Sequence, residues 1–374
     1  MAIAVSRDVS RAATRTGLAI ADRAAPRGSF VIDWQPRVSA RPLAPRLPTG
    51  AGSREPSREG LIRLPQLFST TRSARPSSLA QTVEAPATGE YDAKPHDNDL
   101  DLFGLTHPGK VRAENQDHFL VCTIHPQVVI RGTSLPETEQ LPMRGQRLAT
   151  LMLVADGVGG HAAGDEASRL ATEAVMMYVA STLRCYHAAG QANDEEFLAA
   201  LRAAALSAHE KVSVEAAARG NQRMATTLTL GIVVWPWLYV VQVGDSRAYC
   251  CADRELRQVT RDQTLAQDLV DQGLLPAERI AASPYNHVLS SAIGGSAATP
   301  VVSRMDIRGP TPLVLLCSDG LTKHVSNEEI EQRIASMRSS EQLCRDLLDL
   351  TLERGGTDNV TIVVGRARMR PADG

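Results

Sequence analysis

Five aspartates in this 374-residue chain stand where an apolar run ends or a tight turn begins: Asp117 in RAENQD, Asp156 in LVADGVGG, Asp245 in VGDS, Asp319 in LLCSDG and Asp358 in GGTDN. A buried strand that stops at an acid delivers a carboxylate to the rim of a core, where it is hydrogen-bonded or neutralised by a cation. Glycine after Asp156 and Asp319 lets the backbone come close to whatever the acid holds. Each acid taken alone reads as a turn residue. Brought to one rim, several carboxylates repel one another unless cations sit among them. No convincing His or Cys companion accompanies them, and an oxygen-only donor set suits Mg²⁺ or Mn²⁺ rather than zinc.

Elements able to gather these acids are legible in the periodicity. LFGLTHPG and HFLVCTI read as two strands bracketing the loop KVRAENQD, and LATLMLVA as a buried strand ending at Asp156. Ala167, Leu170, Ala171, Ala174, Met177 and Tyr178 fall on one face of a helix over 166–183, and a second helix follows over 195–218. TTLTLGIVV alternates with period 2, PW turns the chain, and LYVVQVGD, SRAYCC and ELRQVT continue an antiparallel meander. A short helix in RDQTLAQDLVDQG precedes a long irregular segment, then the strand of TPLVLLCSDG, helices over 326–336 and 340–353, and a last strand after Asp358. Strands then helices, twice over, predict an α+β fold: an αββα sandwich of two packed antiparallel sheets flanked by helices.

Composition narrows the partners. Residues 1–95 carry 14 basic and 8 acidic residues, which leaves 26 basic and 34 acidic of the totals of 40 and 42 for 96–374. An acidic body without a basic stripe argues against nucleic acid. The first segment, rich in Arg, Ala, Pro and Ser and without sustained period, reads as a disordered arm; 96–374 reads as the catalytic domain. No apolar run approaches the roughly 20 residues of a membrane span, and neither a secretory signal nor a transit peptide is favoured over a plain arm. Six scattered cysteines without a C-x-x-C pair read as reduced core residues. The expectation is a cytoplasmic monomer with no membrane contact. DNDLD at 97–101 imitates a calcium loop, but Leu102 stands where the sharp turn needs glycine.

In order, RAENQD, ADGVGGHAAG, ATTLTL, VGDSRAY, TRDQTLAQDLVDQG, LLCSDGLT and GGTDNVTIVV resemble the signature of the metal-dependent protein phosphatases (PPM, type 2C), the bacterial branch most of all. The resemblance spans about Asp99 to Arg366. It implies hydrolysis of phosphoserine and phosphothreonine in a phosphoprotein that is the substrate of a Ser/Thr kinase, with at least two Mn²⁺ or Mg²⁺ ions about 3.5–4 Å apart activating a water in line with the phosphoryl group. By this resemblance Asp156 bridges the ions, with the Gly157 carbonyl on one of them. Asp319 and Asp358 complete the other ion's shell, and Asp117 holds water near the second ion. Arg112 grips the phosphate, a task suited to a planar fork of donors. Asp245 with Asp319 helps bind a weaker third ion.

The chain departs from that pattern in three places. Lys323 stands four residues after Asp319, where the family usually has a second acid, which puts the third ion in doubt; turned inward, its ammonium is expected between Asp245 and Asp319. Val158 replaces the histidine that follows the Asp-Gly pair in animal members, and His161 receives no role. The flap over about 273–295 reads NHVLSSAIGG, without the basic residues common in bacterial relatives. Lys323 and the altered flap support one alternative, a pseudophosphatase that keeps the fold as a binding or regulatory module. A rival signal, the Cys-x₅-Arg spacing of CADRELR from Cys251 to Arg257, lacks the small residues a phosphate loop needs and reads as a hairpin turn.

Overall fold

The computed structural model describes residues 91–127, 129–130, 134, 144–160, 162–188, 194–220, 223–252 and 255–368. The expected disordered arm therefore lies outside the described residues except for 91–95. Those five pack with the domain predicted to begin at 96: the Pro95 carbonyl accepts from Arg147 Nη2 at 2.8 Å, and Asp92 pairs with Arg308 at 2.6 Å. His161 also lies outside.

The chain runs β1 (Leu100–His107), β2 (Asp117–Ile124), β3 (Ala149–Val158), α1 (Ala162–Ala188), α2 (Asp194–Ala218), β4 (Ala225–Thr226), β5 (Leu228–Val234), β6 (Trp237–Val243), β7 (Arg247–Ala252), β8 (Glu255–Gln258), α3 (Leu265–Asp271), β9 (Val301–Asp306), β10 (Leu313–Cys317), α4 (Asp319–Thr322), α5 (Asn327–Ser336), α6 (Ser340–Glu353) and β11 (Val360–Ala367). One sheet has the order β1-β11-β10-β7-β8 and the other β2-β3-β5-β6-β9, with β4 on β3; neighbours pair antiparallel. This is the expected αββα sandwich.

Three apolar layers hold it. Ala167, Ala171, Val175, Val179 and Leu183 of α1 pack with Leu151 and Leu153 of β3 and Leu228, Leu230 and Ile232 of β5. Met152, Val154, Leu238 and Val240 face Cys250, Val314, Leu316 and Val363 between the sheets. Leu315, Ile362 and Val364 meet Ile330, Leu343 and Leu347 of α5 and α6 beneath. Strands buried on both faces need apolar residues at every position, which is why β3 and β10 read as unbroken runs. Each such side chain contributes about 1.5–3 kcal/mol of burial.

Three details differ from the sequence reading. The stripe of α1 runs at spacing four through Val175 and Val179, so Met177 is 58% exposed instead of facing the core. The segment before β10, expected to be irregular, contains β9, an edge strand paired among the described residues with β6 alone. The residues on either side of the CADRELR turn pair antiparallel as β7 and β8: Cys251 lies opposite Leu256 and Cys250 opposite Arg257, with both thiols buried in β7, while 253–254 lie outside the described residues.

Candidate active site

Register brings the five aspartates to one end of the sandwich. Asp117, first in β2, lies opposite Asp156 near the end of β3. Asp319 follows β10 and Asp358 precedes β11, and those strands are antiparallel neighbours. Asp245 sits in the β6–β7 turn after Gly244, whose φ of +103° is the left-handed conformation that favours glycine. All four other carboxylates act on Asp156: burial first, then Asp117, Asp319, Asp245 and Asp358, push its carboxyl well above the usual range. A cleft of about 630 Å³ opens here, walled by Asp156, Asp245, Asp319, Asp358, Arg112 and Lys323, with Val288 and Leu289 from the flap region on its far side. A smaller apolar hollow between the sheets, by Leu102, Met152 and Val314, lies at the other strand ends and holds none of these acids.

Asp117 is 3% exposed. Its Oδ2 accepts from Ser318 Oγ at 2.8 Å and Thr361 Oγ1 at 2.7 Å. Burial outweighs those bonds and lifts its carboxyl to about 6. Asp245 is 8% exposed and lifted to about 8 by burial, then by Asp319 and Asp262. Asp358 goes the other way. Burial raises it, but the hydrogen bonds and charges of Lys323 and Arg112 prevail and hold it below the usual carboxylate range.

The two cations are placed in detail. Arg112, on the β1–β2 loop with its side chain 57% exposed, sets Nε 2.8 Å from Asp358 Oδ1 and Nη2 3.0 Å from Oδ2. Lys323 turns inward as expected, yet its partners differ from the expected pair: Nζ lies 2.7 Å from Asp319 Oδ2 and 2.7 Å from Asp358 Oδ2. Asp358 wins over Asp245 because the loop before β11 closes over the first turn of α4. There a Cβ on Gly320 would meet the Asn359 carbonyl oxygen at 1.9 Å.

Sequence reasoning missed the residues that hold the acids in place. Asn359 Nδ2 donates to the carbonyls of Pro108 and Glu114, and its Oδ1 accepts from the Gln116 amide at 2.9 Å, which ties the Arg112 loop to Asp358's own segment. Thr227 Oγ1 accepts from the Asp156 amide at 3.0 Å and lies 2.7 Å from Ser246 Oγ. Ser318 and Thr361 had a visible signal: each is a polar residue interrupting or abutting an otherwise apolar strand.

The donor set fits hard divalent cations. Asp117 Oδ1 and Asp319 Oδ1 are buried without a hydrogen-bond partner, a costly condition that a cation relieves. A Cβ on Gly157 would strike the Gly164 carbonyl oxygen at 2.3 Å, so only glycine permits the close backbone packing beside Asp156. With Lys323 and Arg112 drawn onto Asp358, the donors are present but not gathered: among the described residues no three His, Cys, Asp or Glu side chains converge as an ion-holding group. Chemistry decides for an ion over spacing here, because carboxylate rotamers move readily and orphaned buried oxygens do not go uncompensated.

A model of the Protein phosphatase 2C family matches residues 143–354. The chain belongs to that family. The match stops short of Arg112, Asp117 and Asp358, whose placement rests on the structure. Among relatives, it is 35% identical over 217 residues to the serine/threonine protein phosphatase PstP of Mycobacterium tuberculosis, covering 58% of this chain and 40% of that protein. The serine/threonine phosphatase stp of Listeria welshimeri is 30% identical over 215 residues, 57% of this chain and 83% of that one. The chain thus spans well under half the length of the mycobacterial relatives it matches. Among solved structures, M. tuberculosis PstP gives a TM-score of 0.57 at 28% identity, covering 72% of this chain and 99% of that one. The PstP catalytic domain in complex with two manganese ions gives 0.54 at 29%, covering 71% and 97%.

Proposed function

We propose that this chain hydrolyses phosphoserine and phosphothreonine monoesters in proteins, with two divalent ions held by Asp156, the Gly157 carbonyl, Asp117, Asp319 and Asp358. The observation that carries the reading is the placement of five aspartates at one end of the sandwich, four of them walling one cleft, with two buried carboxylate oxygens unpartnered. When bound, such ions neutralise phosphate charge and acidify water. The chain's own residues do the rest. Asp117, fixed by Ser318 and Thr361, offers Oδ1 to orient water. Arg112 stands at the cleft mouth with a fork that suits a phosphate as well as it suits Asp358. Val158, Val288 and Leu289 wall the cleft with apolar surface that limits solvent around the reacting phosphate.

Turnover of a phosphopeptide or an aryl phosphate should require added Mn²⁺ or Mg²⁺ and vanish on chelation. Full activity in excess EDTA rejects the two-ion reading. Arg112→Ala should raise KM for a phosphopeptide and lower kcat/KM by roughly 10- to 100-fold, the worth of one charge-assisted contact; steady-state kinetics in saturating Mn²⁺ check it, and an unchanged KM removes Arg112 from the phosphate. A binding module that has retired its chemistry is favoured by one observation, the pairing of Asp358 with both Arg112 and Lys323. Metal-dependent turnover excludes it.

The reading extends to a substrate phosphorylated by a Ser/Thr kinase and to a monomer in a bacterial cytoplasm. Among the described residues five cysteines stand outside any disulfide, four of them buried, which supports a reducing compartment. Among the described residues no helix is long and apolar enough to cross a membrane.

A further inference from the structure

Lys323 caps the single turn of α4 and is one helical turn past Asp319. That spacing folds its side chain back over the first residue of its own helix, where the antiparallel neighbour strand also delivers Asp358. Long basic side chains ordinarily carry their charge out to water. This one does not: it is 24% exposed, between acids 18% and 19% exposed, with both N···O distances at 2.7 Å. Burial alone would push a lysine down; Asp319 and Asp358 overcome it and push it up.

One positive charge does not balance this cluster. Asp319 Oδ1 stays buried and unpartnered beside the bonded Oδ2, and Asp156 and Asp245 still feel Asp319 as a repelling charge. The ammonium therefore occupies one oxygen of each of two carboxylates that would hold a divalent ion, and leaves the cluster with uncompensated negative charge. Resting on the metal-dependent reading above, we propose that Lys323 is a tethered counter-ion: it holds Asp319 and Asp358 together in the metal-free protein, and a divalent ion must displace it to bind between them. Ion loading at that position is then an exchange of one cation for another, weaker than the same carboxylates would give without the lysine. Arg112 does not share this role. It meets Asp358 alone and is more than half exposed, so it leaves Asp319 untouched.

The test is a calorimetric titration of Mn²⁺ into the full chain, stripped of metal, for wild type, Lys323→Met and Lys323→Arg, with melting temperatures read in chelator and in Mn²⁺. The apolar variant keeps the length of the side chain and removes its charge. It should bind Mn²⁺ at one site at least tenfold more tightly than wild type, while the arginine variant stays near wild type. In chelator Lys323→Met should melt several degrees below wild type, and Mn²⁺ should raise its melting temperature by more than it raises the wild type's. Where the methionine variant does not fold without metal, Lys323→Gln, which keeps a neutral donor on Asp319, serves the same titration. Equal Mn²⁺ affinities in wild type and the uncharged variant overturn the counter-ion role and leave the phosphatase reading standing. Mn²⁺ binding to none of the proteins overturns the metal-dependent reading, and this proposal with it.

Discussion

Asp156→Asn should lose roughly 10³-fold or more in kcat with Mn²⁺ present, since a bridging carboxylate supports several kcal/mol of charge stabilisation at the reacting phosphate. The same variant should melt higher than wild type in chelator. Burial and four neighbouring acids push its carboxyl well above the usual range, so the metal-free fold must hold a proton there or bear a repelled charge, and an isosteric amide removes that cost. The hydrogen bonds that fix this residue run through its backbone, to Thr226 and Thr227, and survive the change. Phosphopeptide kinetics and thermal melts on the two proteins decide. A variant with wild-type turnover, or one that melts lower in chelator, removes Asp156 from the centre of the site.

Metal-free protein should become less stable as pH rises from about 4 to about 8. Asp117 is lifted to about 6 and Asp245 to about 8 in the folded chain, against an ordinary value of 3.8. Below 3.8 both states are protonated and the contribution is whole. As pH rises through the folded values, the native state keeps protons that the unfolded chain has already released, and stability falls. Asp117 alone corresponds to roughly 3 kcal/mol, on the order of 5–10 °C in a domain of this size. Asp358, held low by Lys323 and Arg112, acts oppositely: its contribution is present above 3.8 and fades as pH drops below that, outside the window in question. Saturating Mn²⁺ should flatten the profile, because the ion takes the place of the protons. Melting curves across pH in chelator check this, and a flat or rising curve there contradicts the burial of these acids.

The sandwich was legible because its strands and helices announce themselves locally. The unbroken run of β3, the period 2 of β5 and the capping box of Ser326 and Glu329 at the start of α5 are all written within a few residues. β9 was not legible: VVSRMD is an edge strand with mixed burial and carries neither a clean alternation nor an apolar run. The acids were found because each stands at an end of a recognisable strand or in the tight turn beside it. Their supports were not, because the bonds of Asp117 to Ser318 and Thr361 join residues 201 and 244 positions away, and only the pairing of whole sheets creates them. Lys323 shows the same limit on a smaller scale. Its inward turn and its contact with Asp319 follow from a one-turn spacing, whereas its second partner depends on how a distant loop closes over Gly320.

Asp117 and Asp156 belong to one sheet and Asp319 and Asp358 to the other, bonded across the gap through Ser318 and Thr361. The separation of the donors is therefore a gauge reading of how far apart the two sheets stand. Met152, Leu316 and Val363, none of which lines the cleft, act as its spacers, and at Gly365 the gap is so narrow that a Cβ would meet Met152 Sδ at 2.6 Å. Packing between the sheets is in this sense a part of the chemistry. A change of one methylene far from any carboxylate resets the instrument that the ions are measured against, and the core and the reaction are tuned by the same screws.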